Sequence, residues 1–262
     1  MAPWLAEGLL LSTGKYWKAR RRIISPAFHF SILNDFIPIF AQCAGRLADR
    51  LQDEHHRNGF VRDLMGPVER TALEVVSQTS IGITLDAIEG GSEDRLALDY
   101  SKSLAAVVNG AFERTFNPFW SWDFVFYRSR TGRLYRKSVK LLASFMDQVV
   151  AERIAQLRQK RAHKKAIEEQ REEDVQAFYG KGKRKKAFLD LLVETHLDQE
   201  EQTGPELPAG QRLDLHGIRE EVNTFTFAGF DTTSSSLVFL LYLLGNAVWS
   251  SFGTNLHPKL LN

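Results

Sequence analysis

Val222-Asn223-Thr224-Phe225-Thr226-Phe227-Ala228-Gly229-Phe230-Asp231-Thr232-Thr233 opens an apolar run that continues to Leu244. The run is long enough to suggest a membrane span. It is interrupted, however, by Asn223, Thr224, Thr226, Thr232, Thr233 and Ser234 to Ser236, and Asp231 lies near its centre. An acid at that depth is costly in lipid and in a protein core alike, unless it has a partner or a task. The alternative is a long helix through the middle of a large all-α domain. Ala228 and Gly229 would let something flat approach the backbone. The acid–alcohol pair Asp231 and Thr232 would handle protons beside it. The residues also admit a bland reading, with the threonines bonding the carbonyl one turn back and Asp231 in a buried ion pair. Spacing alone leaves both open.

Upstream of this run the chain reads as a series of helices. Gly14 to Ile24 is a short basic helix, in which Trp17 and Arg21 stand four apart and share a face. An indole N–H beside a guanidinium suits a carboxylate, and equally suits an exposed helix end packed on its tryptophan. Leu33, Phe36, Ile37, Phe40, Ala44, Leu47 and Leu51 recur at helical spacing and predict one amphipathic helix over Ile32 to Arg57. Cys43 lies on it and reads as a structural thiol. Gly66-Pro67 opens a helix that runs to Ile81, and Ser92 is the expected N-cap of a helix over Leu96 to Phe112.

Asn117 to Tyr127 is rich in aromatics. It fits core, a substrate-entry wall or a surface dipping into a membrane. Thr131 to Phe178 is a long helix whose apolar face is Leu141, Leu142, Phe145, Met146, Val149, Val150, Ile154 and Leu157. Gly180 to Lys186 is a basic loop. Gln199 to Gln211 is a second loop, and Asp214 is the expected N-cap of the central helix, which reads to Gly245.

The chain has 262 residues, 34 basic against 32 acidic, and a net charge of +2. That balance gives no reason to expect nucleic acid as a partner. One cysteine excludes an internal disulfide and a cysteine-based zinc site, and no other set of metal ligands stands out. The N-terminus lacks a basic region, and Glu7 interrupts its apolar residues, so it is not read as a signal peptide or anchor.

Glu220 to Thr233 resembles the central (I) helix of the cytochrome P450 haem-thiolate monooxygenases, and most of all the fatty-acid-hydroxylating family 4 branch. Trp17-Lys18-Ala19-Arg20-Arg21 with Ser25 to Phe30 resembles the C helix and the segment after it. Lys186 to Leu192 resembles the start of the H helix. The resemblance runs from Gly8 to Asn246. It implies a mainly helical partial P450 domain over 1–246, covering helices C through I, and a divergent tail over 247–262. The haem-cysteine region and most of the small β-rich lobe are not recognised in the chain.

By that resemblance the cofactor is haem, with Trp17 and Arg21 holding a propionate and Ala228 and Gly229 leaving room for the haem face. Asp231 and Thr232 are the expected catalytic pair, delivering protons. Family 4 commonly has Glu where this chain has Ala228, so haem would be held here without the ester that Glu can form. The implied function is hydroxylation of fatty acids or other lipophilic molecules with O2. Electrons would come from NADPH through NADPH–cytochrome P450 reductase, docking near Lys15 and Lys18. The implied location of the family is the endoplasmic reticulum membrane; without a recognised anchor, this chain is expected in the cytoplasm. With no axial cysteine loop recognised, the 262 residues are expected to be inactive as written. The alternatives are a non-catalytic truncated isoform, or a helical interaction protein using Lys181 to Lys186.

Overall fold

The structure, a computed structural model, describes residues 2–61, 63–85, 95–170, 187–201 and 212–253. The described residues form helices and no strand, as the sequence pattern predicts. Among the described residues there are ten α-helices, in chain order α1 (Ala2–Leu5), α2 (Gly14–Ile24), α3 (Phe30–Asn34), α4 (Ile37–Asn58), α5 (Met65–Val76), α6 (Arg95–Phe116), α7 (Asp123–Arg128), α8 (Arg130–Gln170), α9 (Phe188–Glu201) and α10 (Leu215–Gly253). The expected N-cap at Ser92, the basic loop Gly180 to Lys186 and positions 202–211 of the second expected loop lie outside the described residues, while 199–201, read as the start of that loop, are the last residues of α9.

Helix α10 starts where Asp214 predicts. The Gly217 amide donates to Asp214 Oδ1 at 2.7 Å, which satisfies one of the orphan donors of the first turn. The helix does not stop at Gly245 but continues to Gly253. A single helical glycine costs only about 1 kcal/mol, and the next proline is Pro258.

The helix expected from Ile32 to Arg57 is two. Phe30–Asn34 and Ile37–Asn58 are separated by Asp35 and Phe36, and Pro38 sits in the first turn of the second. Proline has no N–H to give, and its ring excludes the carbonyl of residue 34 from a continuous helix. The buried face also differs from the one read from periodicity. Phe36 and Cys43 are buried, whereas Leu33, Ile37 and Phe40 face solvent. Helix α4 ends at Gly59 in the left-handed region, φ 75°, with its N–H on the His55 carbonyl.

Two apolar clusters fill the interior. One joins Ala72 and Leu73 of α5 to Leu104, Val107 and Val108 of α6, Leu142 of α8, and Phe227 and Phe230 of α10. The other joins Ile24, Met146, Val150, Leu189, Leu192, Ile218 and Val222. Helix α10 therefore contributes to both. Full burial of each such side chain stabilises by about 1.5–3 kcal/mol. Helix α8 is stitched to α9 by Arg153 on Asp190 and Arg158 on Glu200, and to α10 by Arg219 on Asp147.

The N-terminal segment is part of this interior. Trp4 and Leu5 are buried, and Trp4 meets Phe227 edge to face at 5.6 Å between centroids. The aromatic segment is largely surface: Phe126 is buried, while Phe119, Trp122 and Phe124 are all more than 70% exposed at 81%, 75% and 74%.

Candidate functional site

The turn from Ala228 to Thr232 lies where α10 passes from covered to bare. Gly229 is there because α5 is. A Cβ on Gly229 would come within 2.7 Å of Val76 Cγ2, so a larger residue would push the two helices apart. The structure thus gives this small residue a packing partner, in addition to the haem-facing role that resemblance implies. Ala228 and Asp231 are half-buried, and Thr232 and Thr233 are exposed. The Thr232 hydroxyl donates to the Ala228 carbonyl at 2.5 Å. Its donor is used within the helix, and its lone pairs remain free to accept from a group outside.

Asp231 has an acidic neighbour on α5. The Glu69 carboxyl is raised above the usual range, first by burial and then by Asp63, with Asp231 a smaller contributor and Arg70 opposing. Asp231 is thus within electrostatic reach of Glu69. Glu69 is not singled out by the sequence, since α5 also carries Arg70 and Glu74 and no spacing sets one of its two acids apart.

On α2, the pair expected from i, i+4 spacing forms. The Arg21 guanidinium lies over the Trp17 ring, 5.0 Å from its centroid. Trp17 is half-buried and Arg21 exposed. The next residue back behaves otherwise. Arg20 is buried, bonded through Nε and Nη2 to the Tyr16 hydroxyl at 3.1 and 2.6 Å, and faces Glu221 of α10. Helix α2 is thus anchored to α10 through Arg20 and presents Arg21 outward. Sequence reading missed Arg20, because one arginine of a basic run cannot be told from its neighbours without their burial.

Glu220 and Glu221 are both buried. The Glu7 and Leu9 amides donate to them at 3.1 and 3.0 Å. Burial pushes Glu221 up to about 7, against the lowering effects of the Leu9 amide and Arg20. Two adjacent acids at the head of an apolar run are a signal that buried partners must exist, but not where they come from. Around the helix, Glu221, Ala228 and Thr232 fall within roughly 40° of one another, with Thr232 about 16 Å beyond Glu221 along the axis.

The described residues fit two parts of a haem and not a third. The Trp17–Arg21 pair offers donors and positive charge for carboxylates. Thr232 offers an acceptor on the open side of the helix, beside Asp231. No group of three or more His, Cys, Asp or Glu is placed to hold a metal among the described residues. Cys43 is fully buried on α4, and its thiol is raised, chiefly by burial. A neutral thiol packed between helices is a structural one, as its position in the amphipathic pattern predicts.

Helix α10 is long and apolar enough to cross a membrane over Leu215–Asn246, with a mean hydropathy of 1.4. Its first half, however, carries buried Glu220, Glu221 and Asn223 and packs against α5, α8 and α9 as a core helix does.

Residues 1–247 match the cytochrome P450 family. Cytochrome P450 4V2 of Rattus norvegicus is 33% identical over 246 residues, covering 94% of this chain and 42% of the relative. Cytochrome P450 4d1 of Drosophila melanogaster is 30% identical over 245 residues, covering 92% and 43%. The chain thus spans less than half the length of these relatives. Among solved structures, the haem domain of cytochrome P450DA superposes with a TM-score of 0.63 at 20% identity, covering 94% of this chain and 44% of that one. The helical order, the central helix and the sequence matches agree: the chain belongs to the cytochrome P450 family, with family 4 members among its relatives.

Proposed function

We propose that these residues are the oxygen-facing and propionate-facing part of a haem-dependent monooxygenase. The carrying observation is the α10 turn itself: exposed Thr232 beside half-buried Asp231, on the face that also bears Glu221, to which α2 is pinned through Arg20. A haem bound there supplies binding and activation of dioxygen. Trp17 and Arg21 would hold its carboxylates, with Arg21 as the charged donor. Thr232 would accept a hydrogen bond and keep water ordered on the open face. Asp231 would pass protons from solvent toward Thr232, and Glu69 nearby would share in that supply.

Family membership and the family 4 relatives support a lipophilic substrate, fatty acids above all, and electrons from an NADPH-dependent reductase. The exposed basic residues Lys15, Lys18 and Arg22 of α2 are the proposed reductase contact. The exposed Phe119, Trp122 and Phe124 support contact with a membrane surface, consistent with a location at the endoplasmic reticulum. A thiolate ligand for iron would have to come from outside these residues, since Cys43 is enclosed. In this reading residues 1–246 form the family unit and the sequence of 247–262 is unrelated to it, although α10 itself runs on to Gly253.

A haemin titration of the 262-residue chain tests this reading. Saturable binding is expected, weakened about tenfold or more by Arg21→Ala, as loss of a charge-assisted hydrogen bond implies. The reduced, carbon-monoxide-bound form should lack thiolate character. Binding that ignores Arg21, or a thiolate spectrum that disappears in Cys43→Ser, would overturn it.

A further inference from the structure

The N-terminal segment and α2 are far from α10 in sequence, yet both converge on two buried carboxylates. The Glu7 amide donates to Glu220 Oε1 and the Leu9 amide to Glu221 Oε2, bonds that span more than 200 residues of chain. Arg20 Nε stands 3.9 Å from Glu221 Oε1, with the arginine 3% and the glutamate 0% exposed. At that distance there is no hydrogen bond, and the contact becomes a charge pairing where Glu221 is ionised. Glycine marks both points of closest approach. A Cβ on Gly8 would run into Thr224 Oγ1 and come within 2.9 Å of the Glu220 carbonyl. A Cβ on Gly217 would run into the Arg20 guanidinium. Gly217 and Glu221 are one turn apart on the same face, so Arg20 lies across the first turns of α10. Beyond the latch, Trp4 packs on Phe227, adjacent to Ala228.

We propose that Glu220 and Glu221 are positioning residues, a paired-carboxylate latch that locks Trp4 to Leu9, and α2 through Arg20, onto the helix bearing Thr232. The function of the latch rests on the reading above: it sets where Trp17 and Arg21 stand relative to Asp231 and Thr232. Each bond is of a kind that a buried acid must make. An ionised or neutral carboxyl accepts from a backbone N–H at low cost, whereas one left without partners at this depth does not survive. The charged and titratable groups around the latch are Glu7 on the segment, Tyr16 and Arg20 on α2, and His216 on α10. His216 Nδ1 is 3.1 Å from Glu220 Oε1.

The test is hydrogen exchange of the intact chain without haem, followed in peptides covering 4–12, 14–24 and, as a reference, 188–201. In Glu221→Leu, exchange in 4–12 and 14–24 should rise at least tenfold, while 188–201 stays as in the parent chain. Glu221→Gln keeps a side-chain carbonyl for the Leu9 amide and should stay within a few-fold of the parent in 4–12. Gly8→Ala keeps both carboxylates but wedges the segment, and should reproduce the rise in 4–12. If Glu221→Leu unfolds the whole chain, Glu221→Gln and Gly8→Ala decide. Exchange in 4–12 unchanged by Gly8→Ala, or Glu221→Gln as open as Glu221→Leu, overturns the latch. Because no haem is used, the latch can fail while the haemin titration responds to Arg21, or stand while it does not.

Discussion

From Gly217 to Phe230, α10 is enclosed. Ile218 and Val222 sit among Met146, Leu189 and Leu192, Gly229 touches Val76, and Trp4 covers Phe227. From Phe239 to Leu244 the same helix stands in solvent, with Phe239 at 68% and Leu243 at 62% exposed. The enclosed stretch is the more polar of the two, with Arg219, Glu220, Glu221 and Asn223 against none of these residue types in 239–244, so composition alone would bury the wrong half. What separates them is supply. Helices α5, α8 and α9 and the N-terminal segment all arrive at the first stretch. The candidate site, Ala228 to Thr232, lies on the boundary. Proton-handling groups need that position: a rigid frame on one side and an open face on the other.

The sharpest way to break this contrast is to make equivalent truncations in the two halves. Ile218→Ala should cost about 2–5 kcal/mol in denaturant unfolding, through lost burial and the cavity left. Leu243→Ala should stay within about 0.5 kcal/mol and reduce aggregation, because it removes exposed apolar surface. Equal costs at the two positions would mean that the second half is covered after all.

The next effect is titration of the enclosed half. Glu221 keeps its proton up to about pH 7 in the folded chain and releases it near the ordinary 4.5 when unfolded. The folded state therefore holds more protons between those values, and stability falls as pH rises through that window. The loss is on the order of 3 kcal/mol. Glu221→Gln should flatten that slope in urea midpoints measured from pH 4.5 to 8. An unchanged slope would place the pH dependence elsewhere.

The smallest effect belongs to the exposed ion pairs. Arg158→Ala removes a 2.8 Å contact with Glu200 between two exposed side chains. It should cost less than about 1 kcal/mol and fade with salt. A larger, salt-insensitive loss would show that the α8–α9 seam depends on this pair more than on Leu189 and Leu192 beneath it.

The contrast also shows what the sequence could and could not reveal. Helix α2 was legible to its ends, Gly14–Ile24, because its basic run is bounded by Gly14 and the Ser25-Pro26 turn. The start of α10 was legible from Asp214, and the Trp17–Arg21 pairing from spacing. The apolar face of α4 was not. Periodicity reports which residues share a face and not whether another element reaches it, so Leu33, Ile37 and Phe40 read as core and stand exposed. Trp4 and Leu5 were missed for the converse reason. Their burial is created by Glu220, Glu221 and Phe227, more than 200 residues away, and no local pattern carries that.

The central claim is that α10 is one helix in two environments, joined at the site. Amide hydrogen exchange resolved along 215–246 tests it most directly. The account predicts slow exchange from 218 to 230 and exchange faster by at least an order of magnitude from 236 to 246, because the bare half opens without disrupting either apolar cluster. Added haemin should then raise protection first around 228–236. Uniform protection along the helix, or a haemin effect confined to its far end, would contradict the account.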